Sequence, residues 1–299
     1  MACSATVGVP SMPLTLIKGQ YKIVGAAPDG DSIKFYPDNP DLWRRLPTRV
    51  RPNRSGGVQL RLDAVDTLET HYQPQVSGVG VQHQPFEYGR AAADELLRFL
   101  GFGDVTRGRN EVVSAAEPEA VRGSILTRFA DKYGRSVAFA FAGDLDGEDG
   151  GDVFIDGELL RTSANHHLLS VGLAYPTFYS KLFPDLRTVL TEAAVGGREA
   201  DKGLWPSDVT NSGFEVESIE TITDDAVILP KLFRRLLDYL ELNDGDPSLA
   251  GFKTYLESRE DEVTILSTGH FTHFDTVVEV EGQRLKLLVS PEDLVFREG

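Results

Sequence analysis

The chain has 299 residues, of which 41% are hydrophobic and 25% charged, a composition typical of a soluble globular protein long enough for two domains. No apolar run reaches about 18 residues, which excludes a membrane-spanning helix. The single cysteine, Cys3, excludes an internal disulfide and fits a reducing compartment. The N-terminus has no basic segment ahead of an apolar run, so we expect no signal peptide and a cytoplasmic location, although secreted proteins can also lack disulfides.

The net charge of −16 argues at first sight against a nucleic-acid partner, because phosphate contacts need Lys and Arg. The charge is uneven, however. Residues 211–299 carry 19 acidic and 8 basic side chains, whereas the first half holds a cluster of arginines between Arg44 and Arg54. A local basic patch or a bound cation can outweigh the net charge, so the charge alone does not identify the partner.

The first 208 residues alternate strand-like runs with loops and a few helices, which predicts a small β-barrel with helices packed on it. YKIVGAA and SIKFYP flank the turn PDGD and predict a hairpin. VQLRLDAV predicts a further strand between two long loops, 37–57 and 72–86. EYGRAAADELLRFLG has helical spacing and ends at Gly101, a typical C-cap. Two strands are predicted around DKYG, followed by helices in HHLLSVGLA and DLRTVLTEAAVGGREADKGLW.

From Ser207 the sequence predicts a linker and the entry to a second domain in SDVTNSGFEVESIETITDD, with a small acidic α+β domain over residues 215–299. LPKLFRRLLDYLEL is a strongly amphipathic helix, for which core packing in its own domain is favoured over partner binding. SLAGFKTYLESRE predicts a second helix. EVTILST, THFDTVVEVEG and QRLKLLVS predict a small antiparallel sheet with a turn at EGQR.

Four separated segments resemble the staphylococcal (micrococcal) nuclease, or thermonuclease, family. They are PDGDSIKFY at 28–36, RLDAVDTLET at 61–70, DKYGRSVAFAF at 131–141 and GLW at 203–205. Each segment alone would occur by chance, but the four in order form a specific signal over residues 15–208. The resemblance implies a mixed α and β fold with an OB-fold barrel of five strands, and metal-dependent cleavage of DNA and RNA. Residues 211–299 resemble no family that we recognise.

The acidic residues of these segments suit phosphodiester hydrolysis, which needs a cation and an activated water. Asp31 and Asp66 are hard oxygen ligands, and a backbone carbonyl near Thr67 would complete their side of a Ca²⁺ shell. The resemblance likewise assigns these positions to calcium. It assigns Glu69 to the attacking water, which this carboxylate either activates or orients.

Two arginines complete the predicted site. Arg61 and Arg135 are expected to bind the phosphate in a bidentate way and to stabilise the transition state, a task for which a Lys point charge is poorly suited. A metal ion and a phosphate between these arginines would also relieve the repulsion among the clustered acids.

Substrate contacts are predicted at four further positions. By the resemblance, Lys132 and Tyr133 correspond to residues that contact a terminal phosphate. Phe178 and Tyr179 lie near positions where the family stacks a base, with core packing as an equal alternative. The Arg44–Arg54 cluster either follows a nucleic-acid backbone or pairs with the acidic C-terminal domain.

The chain also departs from the family pattern. Leu68 follows Thr67 at a position where the family usually has Pro. Asp63 has no counterpart in the family pattern, and we expect it to be an ordinary surface residue. Asp29 fits a turn residue, with a metal-bound water as the alternative. The long loops 37–57 and 72–86 flank the predicted cleft, where they would restrict access and favour either single-stranded ends or one particular substrate.

Two functional classes follow. The first is a Ca²⁺-dependent nuclease acting on DNA, RNA or both and leaving 3′-phosphate ends. The second is a noncatalytic nucleic-acid-binding or scaffold module, with the C-terminal domain as a partner-binding, self-associating or autoinhibitory unit. A scaffold would be expected to have lost some of the charged site residues. All five are present in this sequence, which favours the enzyme: Asp31, Arg61, Asp66, Glu69 and Arg135.

Overall fold

The computed structural model describes residues 13–297 as a mixed α/β structure built around a closed five-stranded barrel. Within these residues, no helix has the length and apolar character needed to cross a membrane. The strands up to residue 208 are β1 (Leu14–Lys22), β2 (Ser32–Pro37), β3 (Val58–Leu62), β4 (Val65–Asp66), β5 (Asp104–Arg107), β6 (Val113–Glu117), β7 (Ala120–Ala130), β8 (Ser136–Ala142), β9 (Asp152–Val153), β10 (Tyr175–Pro176) and β11 (Phe178–Tyr179). The helices of this part are α1 (Phe86–Leu100), α2 (Gly157–Arg161), α3 (Ala164–Ser170) and α4 (Pro184–Glu199).

The barrel strands follow the order β1-β2-β3-β8-β7, and β7 pairs again with β1 to close the sheet. The β3–β8 pair is parallel and the other four pairs are antiparallel. This arrangement is consistent with an OB-like barrel. Side chains alternate along β3, so that Val58, Leu60 and Leu62 are buried in the core while Gln59 and Arg61 lie on the outer face. The predicted barrel is therefore present, and its alternation aims Arg61 away from the core.

Helix α1 covers part of the barrel with a face of small and apolar residues. Ala92, Leu96 and Leu97 are buried, and the helix ends at Gly101, whose φ of 106° is left-handed. The amide of Gly101 donates to the carbonyl of Leu97 at 3.2 Å, which confirms the predicted C-cap.

The C-terminal part continues with two helices and two small sheets. Its helices are α5 (Pro230–Leu242) and α6 (Phe252–Ser258). Its strands are β12 (Phe214–Glu215), β13 (Glu262–Ile265), β14 (His270–His273), β15 (Val278–Glu281), β16 (Arg284–Leu287) and β17 (Leu294–Phe296). One sheet has the order β11-β17-β13-β14 and the other β12-β16-β15, so that β11 from the first part belongs to a C-terminal sheet.

The C-terminal core also includes residues from the first part of the chain. Leu68, Tyr175, Leu204 and Trp205 pack in one cluster with buried side chains of α5, α6 and the two sheets. The predicted linker is packed as well, since Thr210 is fully buried and its hydroxyl donates to Asp208 at 2.5 Å. Helix α5 is therefore fixed directly against the segment that follows β3.

One acid anchors the polar side of α5. Asp261 accepts hydrogen bonds from Lys231 at 2.7 Å and from Arg235 at 2.5 and 2.8 Å. Burial alone would raise the pKa of Asp261, but the hydrogen bonds from Arg235 and the charge of Lys231 lower it to about 2. The ion pairs thus hold two of the basic residues of α5 in place.

We expect this anchor to make stability depend on pH in the acid range. A carboxylate whose pKa falls on folding stabilises the protein above its unfolded pKa, and this contribution is lost as the pH falls through the folded value. The contribution of Asp261 should amount to about 2 kcal/mol and disappear between about pH 4 and pH 2. Urea unfolding of wild type and Asp261→Asn across this range checks the prediction, and parallel curves for the two proteins would contradict it.

Candidate active site

The first acidic residue of the site lies at the entry to β2. The carbonyl of Asp31 accepts a hydrogen bond from the amide of Leu62 at 2.8 Å, and the next residue, Ser32, pairs with Arg61 across β2 and β3. The antiparallel register thus brings together two segments about 30 residues apart in the chain. Asp31 and Arg61 are close enough for the guanidinium charge to act on the carboxylate.

A tight turn follows β3 and carries the second acid inward. Ala64 has a φ of 68°, and the chain then forms β4, in which Asp66 pairs with Tyr175 of β10. Both Asp66 and Thr67 are buried. A buried carboxylate is unfavourable unless it is paired, so Asp66 requires cationic partners.

Small residues of α1 and of the loop before β2 support the segment 66–70. A methyl group on Gly89 would lie 2.8 Å from the carbonyl oxygen of Leu68, and one on Gly30 would lie 2.8 Å from the side chain of Thr67. A glycine in the middle of a helix lowers helix stability, but Gly89 allows α1 to pack closely against the backbone of Leu68. The amide of Glu69 is held from the other side by Gln84, whose side-chain oxygen accepts its hydrogen bond at 3.2 Å.

The site also contains an arginine that the sequence analysis did not identify. Arg234 of α5 donates from Nη1 to Glu69 Oε1 at 2.5 Å and to Asp66 Oδ1 at 3.2 Å. Its Nη2 donates to Asp66 Oδ2 at 2.7 Å. Arg61 lies on the same carboxylate, with Nη2 3.7 Å from Asp66 Oδ1. Two arginines from distant parts of the chain thus neutralise the acids of the site.

The three carboxylates respond differently to this environment. Burial is the largest influence on the pKa of Asp66, but the charges of Arg234 and Arg61 outweigh it and lower the pKa. The pKa of Glu69 is raised, because burial exceeds the opposing effect of Arg234 and Asp66 adds repulsion. Burial, together with the charges of Asp66 and Glu69, raises the pKa of Asp31 to about 7.

These acids form a donor set suited to a hard cation. The carboxylate of Asp31 accepts no hydrogen bond within residues 13–297. Burial raises its pKa most, and the negative charges of Asp66 and Glu69 raise it further, an effect that a cation would offset. Asp66 and Glu69 have suitable oxygens, but Arg234 lies against both. In the part of the chain that the structure describes, no three His, Cys, Asp or Glu side chains are arranged to hold a metal ion. Carboxylate oxygens are the ligand type that Ca²⁺ prefers, but here Arg234 takes up oxygens that such an ion would use.

Arg135 lies beside this group of residues without touching its acids. It precedes β8, which runs parallel to β3 with Val137 opposite Arg61, so Arg135 shares the outer face of the barrel with Arg61. Its Nε donates to Asp131 Oδ2 at 2.6 Å, and its guanidinium lies 5.5 Å from the ring centre of Tyr133. The ammonium group of Lys132 lies 5.6 Å from the same ring, which is 55% exposed.

The two aromatic residues of β11 point in opposite directions. Phe178 is fully buried in the barrel core, so its ring has no surface to offer a base, and core packing is its role. This corrects the expectation of a substrate contact at Phe178. Tyr179 is partly exposed and lies close to both Arg61 and Arg234, which places it at the site.

A second polar group lies next to the acids. Asp29 accepts a hydrogen bond from the hydroxyl of Thr70, and His71 Nδ1 lies 3.3 Å from the same carboxylate oxygen. The pKa of His71 is raised, chiefly by its hydrogen bond with Asp29. Asp29 thus connects the loop before β2 to the segment after Glu69.

Comparison with known proteins returned no match, either among the family models or among the curated proteins. The resemblance to the thermonuclease family therefore rests on the residues of the four segments.

Proposed function

We propose that the protein is a Ca²⁺-dependent nuclease with a thermonuclease-like OB barrel. The observation that carries the proposal is the meeting of Asp31, Arg61, Asp66 and Glu69, which come from the two sides of the 20-residue connection 38–57 and lie together at one end of β2 and β3. Clustered acids with raised pKa values beside a fixed arginine are typical of catalytic sites for phosphate chemistry.

Each residue has a role that follows from its chemistry. Asp31 and Asp66, with a carbonyl near Thr67, would hold the ion, which when bound supplies positive charge to the phosphate. Glu69 would accept a proton from the attacking water or orient it. Arg61 binds the nonbridging phosphate oxygens, and Arg135 would join it by leaving Asp131. By analogy with the thermonuclease family, we expect 3′-phosphate products.

The surface next to the site supports a nucleic-acid substrate. The loop between β2 and β3 lies on the β7–β8 turn, where the amide of Arg51 donates to the carbonyl of Gly134 at 2.9 Å. Arg49, Arg51 and Arg54 are exposed and, within residues 13–297, form no ion pair, either with the C-terminal acids or elsewhere. Positive charge therefore collects beside Arg135 in an otherwise acidic protein, as expected for a surface that follows a phosphate backbone.

The direct test is cleavage of labelled single-stranded DNA, single-stranded RNA and plasmid DNA by the full-length protein. Each substrate is incubated with Ca²⁺, with Mg²⁺ and with EDTA. We expect Ca²⁺-dependent degradation that EDTA abolishes, with faster cleavage of the single strands. Binding of the same substrates without cleavage in any metal would favour the scaffold function instead.

We expect the basic loop to contribute salt-dependent affinity. Changing Arg49, Arg51 and Arg54 together to Gln should weaken binding of a single-stranded oligonucleotide in EDTA and reduce the slope of log K against log salt by about 2, since each phosphate contact on a single strand contributes about 0.7. Fluorescence anisotropy at several salt concentrations measures both quantities. Arg44→Gln is the matched control, because Arg44 already pairs with Asp41 at 3.2 Å. An unchanged slope in the triple variant would place the nucleic acid elsewhere.

A further inference from the structure

Arg234 contacts Asp66 and Glu69, two of the acids of the proposed metal site. The packing of helix α5 fixes the position of its backbone. Its neighbour Phe233 is fully buried, as are Leu236 and Leu237 on the same helix. Lys231 and Arg235 are both tied to Asp261. The backbone of α5 is therefore held on several sides, and the guanidinium reaches the acids from a fixed base.

Further contacts keep α5 against the site. Asp238, one turn after Arg234, is buried and accepts both from the hydroxyl of Tyr72 at 3.0 Å and from the amide of Gln75 at 3.1 Å. The side chain of Gln84 donates to the carbonyl of Ile228, just before the helix, at 2.8 Å. The segment that carries Glu69 and the helix that carries Arg234 thus share one set of buried contacts. These contacts fix the backbone of Arg234 next to the site, so that only its side chain can move.

The contacts of Arg234 are the ones that a cation would make. Its two terminal nitrogens engage both oxygens of Asp66 and one oxygen of Glu69 at 2.5 to 3.2 Å. A calcium ion binds carboxylate oxygens at about 2.3–2.6 Å, so an ion on Asp66 would come into contact with a guanidinium that holds the same group. Two like charges at that separation, inside a buried site, repel each other strongly. The guanidinium and the ion therefore compete for Asp66.

We propose that Arg234 is a resident counter-cation of the active site, which Ca²⁺ must displace from Asp66, so that this residue sets the calcium concentration the enzyme requires. The proposal rests on the proposed function. Without the ion, Arg234 stabilises the buried acids. When the ion binds, the guanidinium leaves Asp66 while the backbone of α5 stays in place.

The test is titration of the full-length protein with Ca²⁺ alone, followed by calorimetry, in wild type and in Arg234→Gln. Removing a competitor should tighten calcium binding by about tenfold or more, within the range of typical coupling between two ligands. Arg109→Gln is the control, because it removes one exposed positive charge that has no ion pair within residues 13–297. This control should leave the affinity near that of wild type.

A second variant guards against a folding defect, since Arg234→Gln leaves buried acids with fewer partners. Arg234→Lys keeps a positive charge but only a single donor group, so it should free one oxygen of Asp66 and tighten binding by a smaller factor. Thermal unfolding without metal identifies which variants are folded. Unchanged or weaker calcium binding in the folded variants would overturn the proposal, even if wild type cleaves nucleic acid. Absence of calcium binding in every protein, with no calcium-dependent cleavage, would instead remove the proposed function itself.

Discussion

Replacement of Glu69 by Gln is expected to lower the rate of phosphodiester cleavage by about 10²–10⁴, the usual contribution of a positioned general base. The change keeps the size of the side chain, and an amide oxygen can still accept the hydrogen bond that Arg234 donates to Glu69 at 2.5 Å. It removes the negative charge that would take or orient the proton of the attacking water. Single-turnover cleavage at saturating Ca²⁺ measures the effect on the chemical step.

The control for this prediction is Glu257→Gln, an exposed glutamate on α6 outside the site. It changes the net charge by the same amount and should leave the rate unaltered. Circular dichroism and thermal unfolding should show that both variants keep the fold. Full activity in Glu69→Gln would remove Glu69 from the mechanism and leave the ion pair with Arg234 as its role.

The barrel was predictable because its signals are local. Alternation along β3, the turn PDGD and the Gly101 cap each depend on a few neighbouring residues, and the structure confirms a closed five-stranded barrel with helices packed on it. The meeting of Asp31 with Arg61 follows from the antiparallel register of β2 and β3, which lie 20 residues apart in the chain, so before the structure only the resemblance of their two segments to one family indicated it. The specific family and the activity stay predictions.

Arg234 was not predictable in the same way. On α5, its sequence neighbours give an ordinary amphipathic pattern in which Lys231, Arg234 and Arg235 read as a solvated polar face. Only the tertiary contact with the segment after β3 reveals that this face is covered. The burial of Asp238 on the same polar face would have indicated that this face is covered. The burial of a single acid, however, cannot be inferred from sequence periodicity.

The residues after Asp208 show a related limit. The run SDVTNSGFEVESIETITDD is polar and turn-rich, which predicts a linker leading into the second domain. Thr210, which precedes that domain, is nevertheless fully buried, as are Val216 and Ile222 at the domain's start. Their burial depends on strands and helices that follow much later in the chain. Phe178 was uncertain for a similar reason, because a two-residue strand gives too short an alternation to tell its inner from its outer side chain.

Replacement of Arg61 by Gln is expected to reduce cleavage by about 10²–10³, the usual cost of removing one donor that stabilises a developing negative charge. The side chain of Arg61 is 18% exposed, so its charge acts in a poorly solvated place where electrostatic interactions are strong. Asp66 would keep its bidentate pair with Arg234, so the fold should survive the loss of Arg61.

Arg61→Lys separates the charge of this residue from its geometry. A lysine keeps the positive charge but cannot form two parallel hydrogen bonds to a phosphate, so we expect the rate to stay well below that of wild type. Arg122→Gln is the matched control, since Arg122 also lies on a barrel strand and pairs with two acids, Asp38 and Asp144, away from the site. Single-turnover rates and melting temperatures of the three variants check the prediction. Wild-type activity in Arg61→Lys would show that positive charge suffices at this position, and that bidentate binding of the phosphate is not its role.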